Sequence, residues 1–378
     1  MAEEQISHLI SQKNSLERVT KQIALIEKLL LLTTPDLIPY RKKNKWGFCS
    51  PDKAIVIPCI YESSFPFFEG IGTIKLDNKL GFIDINGKII TPCVYETRGN
   101  FSEGLARVAI DGKHGFINKT GVHVVQCRYE HAHDFSNGLA RVKLNNKWGC
   151  IDKDGNQIIP LLYDALGPMN EGLFSAKIDS KYGFLDAAGE EIIPFKYDYV
   201  GNFSEGLAKV RLKNAVGFID KRGNEIIPCV YGVDEDEFTS LSRTGDYGRF
   251  SEGLASIQLN GKYGFITQSN DRKIECIYDY AGDFSDGVVN VQSKKKMGYI
   301  NKNGVQLIDF IFDSASSFCE GLAEVELNGK RGYINRAGEQ VIPLIYDWAH
   351  YFNNGLSHVK INRNWGYIDK KGVQFWED

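Results

Sequence analysis

Phe203-Ser204-Glu205-Gly206-Leu207-Ala208-Lys209-Val210-Arg211-Leu212, then Val216-Gly217-Phe218-Ile219-Asp220, a turn at Gly223 and Ile226-Ile227-Pro228-Cys229-Val230-Tyr231, is one copy of a pattern written ten times. The glycine that opens the Gly-Phe/Tyr-Ile step marks the copies. It falls at Gly47, Gly81, Gly115, Gly149, Gly183, Gly217, Gly264, Gly298, Gly332 and Gly366. Successive markers are 34 residues apart, except that Gly217 and Gly264 are 47 apart. The extra 13 residues lie between Tyr231 and Phe250. A strict period of this length is the signature of a solenoid, a propeller or an array.

Each copy reads as three short strands. In segment A, Leu139 to Leu144, Ala140, Val142 and Leu144 alternate with Arg141 and Lys143, the period-2 pattern of a half-buried strand. Asn145-Asn146-Lys147 is a turn. Segment B, Trp148-Gly149-Cys150-Ile151-Asp152, carries a glycine against which another backbone can lie close. Asp152 and Gly155 fit positions i and i+3 of a type I turn, and the pair recurs, as in Asp186/Gly189 and Asn335/Gly338. Segment C, Gln157 to Asp164, is apolar at both parities and is expected to be covered on both faces. Its Pro160 suits a sheet edge or a strand end.

A three-stranded sheet of this size is not stable alone, so each unit must stack on its neighbours. Leu37 sits where Leu139 sits, and the chain ends in a shortened C segment, Val373-Gln374-Phe375-Trp376. A closed propeller often divides one blade between its termini, and this phase shows no such division. The expected fold is therefore all-β. It is a tandem array of ten three-stranded antiparallel units, open and superhelical like a solenoid, with a closed β-propeller-like ring as the alternative. The units span residues 36–378, with an insertion loop at 232–249. Length alone, 378 residues, would suggest two or three domains, but the repeat overrides that prior.

Trp46-Gly47, Trp148-Gly149 and Trp365-Gly366, preceded by Asn-Lys or Arg-Asn, together with Phe-Ser-Glu-Gly-Leu-Ala and Ile-Ile-Pro-x-x-Tyr, resemble the WG repeat (KWG repeat) family of bacterial proteins. The Trp is replaced by Leu80, His114, Tyr182, Val216, Tyr263, Met297 and Arg331 in the other units. Apolar and aromatic replacements point to a packing column; His114 and Arg331 point to a partly exposed one. The resemblance implies an architecture and carries no catalytic motif, so no enzyme activity and no cofactor are expected.

Residues 1–35 differ from the rest. Residues 3 to 32 contain no Gly or Pro, and Leu9, Leu16, Val19, Ile23, Ile26 and Leu30 follow helical spacing, with Gln12 in the remaining position. This N-terminal α-helix is expected to cap the first unit or to mediate self-association. The start, Met1-Ala2-Glu3-Glu4, is acidic where a secretory signal is basic. Of the eight cysteines, Cys59, Cys93, Cys127, Cys229 and Cys276 share one column of segment C, and Cys49 and Cys150 share one of segment B. Cysteine used as a small apolar residue fits reduced thiols and a cytoplasmic protein.

Net charge is −3, no signal for nucleic acid or an anionic membrane, and neither is an expected partner. Locally, Lys75, Arg107, Arg141, Lys143, Lys177, Lys209 and Arg211 recur on the A strands of the first units as a basic stripe, expected on the solvent face. The insertion carries Asp234, Glu235, Asp236, Glu237, Phe238, Arg243 and Tyr247, an acidic loop with aromatics suited to docking another protein. His114, His123, His131 and His133 gather in and after the third unit, where metal or acid–base work is conceivable. The Glu of Phe-Ser-Glu-Gly recurs in too many units for a unique catalytic group and reads as a turn residue. The leading functional expectation is a non-catalytic scaffold binding another protein. The alternatives are a ligand- or carbohydrate-binding array using Tyr182, Tyr263 and Trp365, and a metal-dependent histidine site.

Overall fold

A computed structural model describes residues 37–232 and 248–378. Ten small antiparallel sheets follow one another along the chain, seven with four strands and three with three. Segments A, B and C form as the alternation requires. In the fourth sheet A is Ala140–Leu144, B is Lys147–Ile151 and C is Gln157–Tyr163. A and B pair with Val142 opposite Gly149. Between B and C the Asp152 Oδ1 accepts from the backbone N–H groups of Asp154 and Asn156, at 3.0 and 2.8 Å, and fixes the turn.

A fourth, shorter strand lies inside A in most sheets. His131–Ala132 is one example; it follows the C strand of the preceding sheet and pairs antiparallel with A, His131 opposite Lys143. A complete blade therefore runs from inner strand to A, B and C, and C leads on to the inner side of the next blade. One end of the blades carries the A–B hairpins and the C-to-inner crossings. The other carries the inner–A turns and the B–C turns.

Both faces of a blade meet neighbours. Leu105, Phe116 and Tyr129 of the third blade pack with Phe135, Ala140, Val142 and Ile151 of the fourth, and the same cluster repeats around the molecule. Stacking in this way curls the row until its ends meet. The first strand, Ile38–Lys42, pairs in parallel with the last, Trp376–Glu377, Arg41 opposite Trp376 and Lys42 opposite Glu377. Ile38, Tyr40 and Cys49 of the first blade share a core with Leu356, Tyr367 and Phe375 of the last. The expectation of an open superhelical array is thus wrong: the chain is a closed ten-bladed β-propeller. An open array would leave both of these apolar end faces in water, and closure lets each cover the other. The division of a blade between chain ends exists, but in the innermost strand, where the repeat phase does not look for it.

Segment C also departs from expectation. It is the outermost strand, and only its third and seventh residues are buried, Ile159 and Tyr163 in the fourth blade. Its Pro160 is exposed, as suits an edge. The helix expected over residues 1–35, and residues 233–247 of the insertion, lie outside the described residues.

Candidate functional site

Two rings of polar contacts bind blade to blade. At the end carrying the inner–A turns, Glu103 Oε2 accepts from the Gly138 N–H of the next blade at 3.0 Å and from Lys153 Nζ at 3.1 Å. Glu69, Glu171, Glu252 and Glu320 repeat this with Gly104 and Lys119, Gly206 and Lys221, Gly287 and Lys302, and Gly355 and Lys370. Burial acts to raise the Glu252 carboxyl pKa, but the Lys302 and Gly287 hydrogen bonds outweigh it, and the net shift is downward. The recurrent Glu is therefore a clamp between turns. At the opposite end Lys147 pairs with Asp164 at 2.6 Å and Lys330 with Asp347 at 2.6 Å, with Lys181–Asp198, Lys262–Asp279 and Lys296–Asp313 in the same place. The Lys147 ammonium beside Asp164 holds its carboxyl below the usual carboxylate range. Sequence reading missed this second ring, although its signal is there: a hairpin lysine and the acid after the C-strand tyrosine always stand 17 residues apart.

The seven cations expected on a solvent face are all half-buried, and two of them reach the next blade. Arg107 Nε reaches Asp134 of the next blade at 3.2 Å, and Arg141 donates to the Leu166 carbonyl at 2.7 Å. Lys177 lies over the Tyr182 ring, 5.2 Å from its centre. The physical reason is the stacking of blades: both faces of an A strand meet neighbours, so neither is outward. Tyr182 and Tyr263 are likewise half-buried, against Tyr199 and Tyr280, and form no exposed aromatic ladder. Arg331, at the Trp position of the ninth blade, is ion-paired with Glu324 and Glu326 and lies over the Trp348 ring.

Three of the four histidines converge. His114 lies 5.5 Å from His131, which lies 5.1 Å from His133, and both His131 and His133 stand 5.4 Å from the Trp148 ring. Burial, then the Arg141 charge, pushes the His133 pKa down to about 4. His123 is elsewhere, its Nε2 3.4 Å from the Tyr95 hydroxyl. Among the described residues no group of three His, Cys, Asp or Glu side chains is placed to hold a metal ion. All eight cysteines are free, and burial pushes the Cys49 and Cys150 thiols up to about 12. The loop residues Asp234, Glu235, Asp236, Glu237, Phe238, Arg243 and Tyr247 lie outside the described residues. Their attachment point is not: Gly232 pairs with Ala215 beside an A–B hairpin, so the loop leaves from that end of the ring.

The largest irregularity is where the ring closes. Among the described residues the strand next to A in the first blade is the parallel Trp376–Glu377. Tyr40 donates to Glu377 at 2.7 Å, and Arg41 pairs with Asp378 at 2.7 Å and donates to the Trp365 carbonyl at 3.0 Å. Two adjoining cavities remain, of about 350 and 230 Å³, both lined by His358 and Tyr367. Trp46, Phe65 and Trp365 wall the larger one and Lys43 and Arg363 rim it. Arg98, over the Phe65 ring, borders the smaller.

The sequence pattern of the WG containing repeat matches residues 37–79, 81–113, 115–148, 148–182, 182–214, 217–232, 245–263, 263–296, 297–330 and 332–365. No curated protein matches the sequence. Among solved structures the chain is similar to a eukaryotic initiation factor, at 8% identity and a TM-score of 0.45, over 90% of this chain and 95% of that one. It is also similar to Kluyveromyces lactis Hsv2, at 7% identity and a TM-score of 0.37, over 63% of this chain and 93% of that one.

Proposed function

The chain belongs to the family of the WG containing repeat, and from that premise we propose that it is a non-catalytic scaffold that binds another protein around the rim of its ring. One observation carries this reading. The second, fourth and sixth residues of the C strands line the outer edge, and in four blades all three are apolar and exposed: Val56-Pro58-Ile60, Ile158-Pro160-Leu162, Ile226-Pro228-Val230 and Val341-Pro343-Ile345. Val230 is 64% exposed. A repeated apolar rim of this kind marks an interaction surface. The prolines remove backbone donors from the edge and blunt strand addition, so recognition is by side chains.

The chemically capable recurrent groups support the absence of catalysis, because the Glu, Lys and Asp columns are engaged in holding blades together. The acidic insertion loop is a second contact for the same partner. A reducing compartment such as the cytoplasm suits the free thiols. The test is a pull-down from the source cell extract with the natural chain and with a Leu162→Lys, Val230→Lys, Ile345→Lys variant whose circular dichroism is unchanged. Loss of a specific partner from the variant is the expected result; an identical set of captured proteins would overturn the rim as the binding surface. Deleting residues 232–249 separately asks whether the loop contributes.

A further inference from the structure

Every charged side chain that lines the two closure cavities is a cation, in a chain whose net charge is −3. Arg41 is engaged by Asp378. Lys43 and Arg363 are exposed at the rim of the larger cavity. Arg98, on the smaller cavity, is half-buried. Its guanidinium lies over the Phe65 ring, 4.1 Å from the centre, and among the described residues its one hydrogen-bond partner is the neutral Asn100 side chain. Arg107 and Arg331, also half-buried, hold Asp134 and the pair Glu324 and Glu326. Asp134, whose charge also acts on Arg98, is thus already paired. Burial works against the Arg98 charge and pushes its pKa down, and a partly desolvated cation without a counter-ion is costly.

The Tyr367 hydroxyl is a second unmatched group. Tyr367 is 7% exposed and lines both cavities. At the same strand position Tyr299 donates to the Ser316 carbonyl and Tyr333 to the His350 carbonyl, each at 2.7 Å. The Tyr367 hydroxyl bonds to no described residue, and it lies close enough to Arg98 for the two to interact electrostatically. His358 lines both cavities too and stacks on Trp365 and Tyr367, with ring centres 4.5 and 4.6 Å away. Burial, then His350, holds the His358 pKa down to about 4, so at neutral pH it adds a flat ring without a charge.

We propose that the adjoining cavities bind a small aromatic carboxylate, its flat body along Trp46, Trp365 and His358 and its carboxylate accepting from Arg98 and Tyr367. The larger cavity, about 350 Å³, is of the size that holds small ligands. The planar fork of a guanidinium suits a carboxylate, and one half-buried cation matches its single charge better than the double charge of a phosphate. Lys43 and Arg363 favour the approach of an anion. The site is separate from the apolar rim and does not rest on the scaffold reading.

Naphthoate and its neutral amide, naphthamide, titrated into the full chain by isothermal titration calorimetry, test this. Naphthoate should bind once per chain and about tenfold more tightly than the amide, the margin of a hydrogen bond to a charged group. Arg98→Met should remove that margin and leave the amide affinity unchanged, which separates loss of the ion pair from damage to the fold. Tyr367→Phe should weaken naphthoate about fivefold. It keeps the ring packed on Trp46 and His358, and near-ultraviolet circular dichroism checks both variants. Equal affinity for acid and amide, or no heat from naphthoate at millimolar concentration, would overturn the site. So would an affinity that survives Arg98→Met but is lost in the Leu162→Lys, Val230→Lys, Ile345→Lys variant, because the probe would then sit on the rim. Displacement of naphthoate by an equal concentration of inorganic phosphate would overturn the carboxylate assignment.

Discussion

Gly217 stands for most of the marker glycines, Gly366 excepted, which lies against the Trp376 ring. A Cβ built at Gly217 would lie 2.5 Å from the Ile227 carbonyl oxygen, because the C strand bulges onto B at this point. Gly217→Ala should therefore cost about 3 kcal/mol in urea unfolding, near the upper range of overpacking. Gly104→Ala is a different case: open space surrounds it, but its φ is +86°, so the cost should be about 1–2 kcal/mol of backbone strain. The two histidines held near pH 4 give a pH prediction. Unfolded histidine protonates near 6.5, whereas folded His133 and His358 stay neutral to about 4. The unfolded state takes up the proton first, so stability should fall as pH drops from 6.5 towards 4. The melting midpoint of His133→Gln should show a flatter slope over that window. At this scale the sequence was readable where a residue's neighbours are local, as with the glycines and the Asp152 turn. It misled where neighbours come from the next blade: nothing within one unit says that Arg107 and Arg141 face another sheet.

At the scale of the element, strands A and B were visible in their alternation. Strand C was visible in extent but not in burial, since apolar residues at both parities look the same whether covered or displayed on a rim. The inner strand went unread because two residues such as His131–Ala132 carry no period. The two polar rings belong to this scale, and they set the acid response below the histidine window. Asp164, Asp198, Asp279, Asp313 and Asp347 are each held below their ordinary value by a lysine. Their contribution is complete above the usual aspartate value of 3.8 and is lost as pH falls through the lower folded values. These pairs are exposed, so removing one, as in Lys147→Met, should leave urea unfolding almost unchanged. High salt should weaken the set together, which a melting series in sodium chloride would read.

For the molecule as a whole, closure was the part hidden from the repeat. Whether a stack of blades closes depends on the angle between successive sheets, and no residue pattern within a unit encodes that angle. What the structure adds is how little strand pairing shuts the ring. Arg41 is buried and holds Asp378, the Trp365 carbonyl and the Lys43 carbonyl together. Arg41→Ala should cost about 2 kcal/mol, the range for hydrogen bonds to a charged group, and more than the loss of any single rim lysine. Small-angle scattering of that variant, in mild denaturant, should show the radius growing before global unfolding, because the first and last blades part before the others.

Trp376–Glu377 runs the opposite way from every other innermost strand, and this has a consequence for counting. Ten near-identical blades would give a ligand ten interchangeable addresses, with no way to tell one angular position from the next. The odd blade at the closure, like the insertion after the sixth, breaks that equivalence and acts as a landmark. Whatever recognises it sits once per molecule, at a fixed azimuth and with one end of the axis towards it.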